Sequence, residues 1–126
     1  MSQVVDERFD FPRKPVSIAV LPNGATEAYA IRAILEALGC SVQTHWIGTP
    51  GDFLKVLSQG PEAPRYLVIA GHGNEAGSFY VGEYGAFIDT SMVIDQHLPP
   101  EAIAPAVDLP GCLVISTACS SGRPDM

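Results

Sequence analysis

The chain is poor in basic residues: 7 Lys and Arg stand against 14 Asp and Glu, for a formal net charge of −7. Nucleic-acid and anionic-membrane partners call for a clustered basic face, so both are set aside. The acidic balance reads as solubility, and it also permits a cationic substrate or partner. Long hydrophobic runs are lacking too. Nothing approaches the ~20 apolar residues that cross a bilayer, and residues 1–14 carry charges of both signs without the apolar segment of a signal peptide. The expected location is the cytoplasm. Cysteine is scarce and odd in number: Cys40, Cys112 and Cys119, with no C-x-x-C pair. That excludes a disulfide framework and a structural zinc site as first readings. His45, His72 and His97 lack metal-ligand spacing, and no Gly-rich phosphate or dinucleotide signature is present. Neither metal nor cofactor is expected.

What the sequence does contain is an alternation of apolar runs and helical patterns, sized for one domain in 126 residues. Residues 1–15, punctuated by Pro12 and Pro15, read as an arm. Residues 16–126 read as a single domain. Residues 16–21 form a β-branched apolar run that predicts a buried strand. Pro22-Asn23-Gly24 turns the chain. Ala28, Ile31, Ile34, Leu35 and Leu38 then fall at helical spacing, with Gly39 placed to end the helix. Residues 41–47 predict a second strand. Thr49-Pro50-Gly51-Asp52 has the chemistry of a helix start: a capping hydroxyl, proline at the first position and an acid in the first turn. Residues 66–70 predict a third strand, which runs into Gly71-His72-Gly73. Residues 79–81 and 86–88 flank a Gly-bearing loop and predict a β-hairpin. A short helix follows Pro99-Pro100, limited by Pro105. Residues 112–117 predict the last strand, leading into Ala118-Cys119-Ser120-Ser121-Gly122. The expectation is an α/β fold of three layers. Right-handed crossovers give a parallel four-stranded core in the order 2-1-3-4, covered on both faces, with a small β-hairpin added.

In open parallel sheets, ligands gather at the carboxyl ends of the strands. Two of the four strands end alike, in small residues followed by one reactive side chain: His72 after the third and Cys119 after the fourth. On neighbouring strands, which lie about 4.8 Å apart, imidazole and thiol open onto one cleft. There the thiolate attacks and the histidine carries protons, and a nearby imidazolium favours the thiolate. The backbone N–H groups of Gly73 and Cys119 can supply an oxyanion hole.

An apolar strand ending in Gly-His-Gly, some fifty residues, then an apolar strand ending in x-Ala-Cys-x-Ser-Gly resembles the caspase-like cysteine peptidases. The flavour is closest to the CHAT, metacaspase and gingipain-like branch, and the resemblance covers roughly residues 16–122. It implies His72 as general base and acid, Cys119 as nucleophile, Gly73 with Cys119 as oxyanion donors, and peptide-bond cleavage through a thioester. Two departures accompany it. Thr117 stands where caspases carry the glutamine that helps bind an aspartate side chain, so aspartate specificity is not implied. The family fold also continues for two more strands with their helices, so this sequence corresponds to its N-terminal half and reads as truncated after the nucleophile strand. An unprotected sheet edge follows, and with it an expectation of self-association or of a partner covering that edge.

Each site residue also has a plainer reading. Gly71-His72-Gly73 alone is a tight turn with a surface histidine, and the Cys119 motif tips it toward catalysis. Cys40 and Cys112 read as structural thiols. Trp46 reads as packing, and His45 and His97 as surface or half-buried. Asn23, at the same sheet edge as His72, is a candidate for substrate contact, as are Asn74 and Thr117, although loop solvation is the favoured reading of Asn74. A phosphatase loop is excluded because Arg123 follows Cys119 by four positions where that chemistry needs six. The alternative function is a non-catalytic α/β binding or scaffold module, either flavodoxin-like or a degenerate caspase-like domain. Pro22-Asn23 in place of acids argues against a receiver domain.

Overall fold

The computed structural model describes residues 14–74, 77–82, 91–94 and 96–118. Its central element is a four-stranded parallel sheet built from β1 (Lys14–Val20), β2 (Cys40–Trp46), β3 (Tyr66–Ala70) and β6 (Leu113–Ser116), in the order β2-β1-β3-β6. That is the order expected from the alternation of elements. Ile18 pairs with Thr44 on one side and Val68 on the other, and Val68 pairs with Ile115.

The period-2 alternation of a strand sends neighbouring side chains to opposite faces, which sorts the core in two. On one face Val16, Ile18 and Val20 of β1 and Val68 and Ala70 of β3 pack with Ala28, Ile31 and Leu35 of α1 (Ala25–Ala37). On the other, Ala19, Leu21, Leu67 and Ile69 meet Phe53 and Leu57 of α2 (Pro50–Leu57), and Ile103 of α3 (Pro100–Ile103). Phe53 stands edge-on to Phe79 with ring centroids 5.4 Å apart, tying the small antiparallel sheet to this face.

Local chemistry explains the helix ends. Thr49 caps α2, its hydroxyl accepting from the Asp52 N–H at 3.1 Å, with Pro50 following. Gly39 ends α1 with φ 90°, a left-handed conformation that glycine takes without strain. Pro100 opens α3, and the chain tightens into a 3-10 turn at Ala104–Ala106, where Pro105 stands.

Several sequence expectations are corrected. β1 begins at Lys14, two residues earlier than the pattern indicated. Phe79–Tyr80 (β4) pairs antiparallel with His97–Leu98 (β5), a partner far along the chain; the expected partner at 86–88 lies outside the described residues. Ile34 and Leu38, counted on the apolar side of α1, are 61% and 75% exposed. Ile34 is rotated roughly 60° from Ile31 on the helix, and Leu38 is the C-cap residue. Trp46 is also exposed and lies against the Tyr29 ring, centroids 5.7 Å apart.

β6 is an edge strand. Its Leu113, Val114 and Ile115 are 56%, 42% and 52% exposed, so it presents apolar side chains on both faces. On the α2 and α3 side, Val114 and Ser116 line an apolar groove of about 420 Å³ together with Leu57, Ile69, Phe79 and Ile103.

Candidate active site

The site is built where β1, β3 and β6 end together. β1 leaves the sheet at Leu21, whose N–H still donates to the Ala70 carbonyl at 2.9 Å. The chain then turns back so tightly that the Gly24 N–H reaches the Leu21 carbonyl, also at 2.9 Å. A Cβ at Gly24 would run into the carbonyl oxygen of Ala70, so this close crossing of β3 requires glycine. Asn23, just before it, takes φ 65°, a left-handed conformation that asparagine tolerates better than other side-chain-bearing residues.

That turn presents the Asn23 carbonyl to the histidine ring: His72 Nε2 lies 2.9 Å from Asn23 O. A carbonyl oxygen only accepts, so the contact is a hydrogen bond in the Nε2–H tautomer, the one that leaves the neutral ring's lone pair on Nδ1. Asn23, a candidate for substrate contact on sequence grounds, meets His72 here through its backbone carbonyl. The sequence reading missed Glu27. Its Oε1 lies 3.8 Å from His72 Nε2, and its Oε2 is buried with no hydrogen-bond partner among the described residues. Both side chains are partly open to solvent, His72 at 52% and Glu27 at 40%. The signal for Glu27 was its position, in the first turn of a helix that starts at the carboxyl end of β1.

Gly73 begins a return of the chain. The Tyr80 N–H donates to the His72 carbonyl at 2.8 Å and the Asn74 N–H to the Ser78 carbonyl at 3.2 Å, with Gly73 opposite Phe79 between them. Bonds flanking a facing pair make that pair the non-hydrogen-bonded kind, whose own N–H groups point away from the partner. The Gly73 N–H is therefore directed out of the pairing with Phe79. The Asn74 side chain closes the turn, its Oδ1 accepting from the Ser78 N–H at 3.1 Å. This is a structural use, distinct from the expected substrate contact.

From the other side comes Thr117. Its N–H donates to the Ile69 carbonyl at 2.9 Å, and its hydroxyl accepts from the Gly71 N–H at 3.1 Å. It thus ties the residue before His72 to the chain two residues before Cys119. Ala118 is buried in the core cluster of this face, and Cys119 lies outside the described residues. Of the sequence-predicted site residues, the structure brings together His72, Gly73, Asn23, Asn74 and Thr117.

The remaining thiols stand apart from this edge: Cys40 opens β2 and Cys112 precedes β6, both half-buried. Burial pushes the Cys112 thiol above its ordinary value, opposed by a hydrogen bond to the Leu67 backbone. Among the described residues no three His, Cys, Asp or Glu side chains group as metal ligands, and no helix is long and apolar enough to cross a membrane. Comparison with protein-family models, with curated proteins and with solved structures finds no match.

Proposed function

We propose that this chain is a caspase-like cysteine peptidase domain of the cytoplasm, with His72 as base and Cys119 as nucleophile. The observation that carries the reading is the lacing of β3 to β6. The two strands are parallel neighbours, and the Thr117 hydroxyl is fastened to Gly71 at their carboxyl ends. Their register pairs Ile69 with Ser116, and three residues on along each chain come His72 and Cys119.

In this reading Nδ1 of His72 takes the thiol proton and the sulfur attacks the peptide carbonyl carbon. The Gly73 and Cys119 N–H groups receive the oxyanion. The imidazolium returns its proton to the departing amine, and water then cleaves the thioester, giving a carboxylic acid and the free thiol. No metal or cofactor takes part.

The test is the rate of iodoacetamide alkylation at each cysteine, mapped by mass spectrometry in wild type and His72→Ala. The expected result is that Cys119 reacts fastest at pH 7 and loses at least tenfold without His72, on the scale of general-base assistance. Equal and ordinary reactivity of Cys119 in both proteins rejects the peptidase.

The second reading is a caspase-like scaffold that cuts nothing and binds through β6. The exposure of Leu113, Val114 and Ile115 on an edge strand favours it. Turnover of peptide libraries separates the two: the scaffold shows none even where Cys119 is reactive.

A further inference from the structure

Glu27 stands at the third position of α1, counting from Gly24 as N-cap. There a glutamate commonly reaches back to the N-cap N–H. Here the Gly24 N–H is given to Leu21 O instead, and the carboxylate lies across the turn, Oε1 3.8 Å from His72 Nε2. Its second oxygen is buried without a partner among the described residues, an arrangement that costs free energy unless a donor reaches it. The ring nitrogen that the carboxylate faces is the one already held by the Asn23 carbonyl at 2.9 Å.

We infer that Glu27 is a positioning residue for His72: with the Asn23 carbonyl it makes a clamp of two acceptors that keeps the proton on Nε2 and the ring's lone pair on Nδ1. A lone pair at Nε2 would face both a carbonyl oxygen and a carboxylate, so the other tautomer is repelled by each. When Nδ1 takes up a proton, the positive charge sits beside the carboxylate with no need for the ring to turn. The catalytic use of this clamp rests on the reading of His72 as the base; the clamp itself does not require Cys119.

The test compares wild type with Glu27→Gln, which keeps size but can turn an amide NH2 toward Nε2. Ring 15N spectra of histidine-labelled protein at pH 8, with His72 assigned by its loss in His72→Ala, report which nitrogen holds the proton. The expected result is a dominant Nε2–H form in wild type and at least a threefold larger share of the Nδ1–H form in Glu27→Gln. A wild-type ring protonated mainly on Nδ1, or identical spectra in the two proteins, overturns the clamp.

Alkylation of Cys119 at pH 7 supplies the second arm. Glu27→Gln slows it roughly two- to fivefold, the scale of a partly exposed ion pair, and has no effect in a His72→Ala background. Equal slowing in both backgrounds means that Glu27 acts on the fold and overturns the proposal. If Cys119 ignores His72 while the ring responds to Glu27, the peptidase reading falls and the clamp stands. If Cys119 needs His72 and the ring ignores Glu27, the clamp falls and the peptidase reading stands.

Discussion

Asn23 serves the candidate site with its backbone, and substitutions there separate backbone from side chain. Asn23→Gly keeps φ 65° accessible, so Cys119 alkylation is expected to stay within twofold of wild type. A side-chain contact to substrate would instead appear as a raised KM. Gly24→Ala has no such room, because its Cβ would meet the Ala70 carbonyl. A loss of about 2 kcal/mol or more is expected in urea denaturation, in the range of overpacking. Thr117→Val removes the acceptor for the Gly71 N–H. It should cost about 1 kcal/mol, and Thr117→Ser should recover most of it. Cys112 gives a pH signature. Its thiol is raised by burial, so the folded chain holds that proton more tightly than the unfolded chain does. This contribution is present at neutral pH and declines as pH climbs through and past the ordinary thiol range near ~8.5. Iodoacetamide at that pH should modify Cys112 more slowly in the folded protein than in urea.

Elements differ in how well they are held. α2 is fixed at both scales, by the Thr49 cap and by Phe53 and Leu57 in the core; Thr49→Ala should lower stability by about 1 kcal/mol. α1 packs its apolar side on the sheet through Ala28, Ile31 and Leu35, and Ile34 lies off that stripe in water. β6 is held by β3 on one side and carries exposed apolar groups on both faces. We propose that self-association covers it. Sedimentation velocity should show concentration-dependent larger species in wild type, and a monomer with an unchanged far-UV spectrum for Ile115→Lys. A wild type that stays monomeric at every concentration argues against that cover.

At the scale of the whole molecule, the sequence carried the strand order and the helix caps because both are written in short-range chemistry. Apolar runs of strand length, Thr49-Pro50 and Gly39 each act within a few residues. The pairing of Phe79–Tyr80 with His97–Leu98 was not legible. It depends on contacts seventeen or so residues apart along the chain that no local period encodes. His72 and Thr117 could be placed at one edge by topology. The role of Glu27 could not, since an acid in a first turn reads equally as a helix-dipole partner. Local stability is as uneven as legibility. β1 is flanked by strands on both sides, whereas β6 has one neighbour among the described residues and a four-residue ladder. Amides of Ile115 and Thr117 should therefore exchange with solvent well before those of Ile18 and Val20, through an opening that leaves the rest intact. On that expectation the strand that leads into Cys119 is the first of the sheet's four strands to come away. Peeling it away would separate the two halves of the proposed machinery without unfolding the domain, and any chain laid along its free edge would act as a latch.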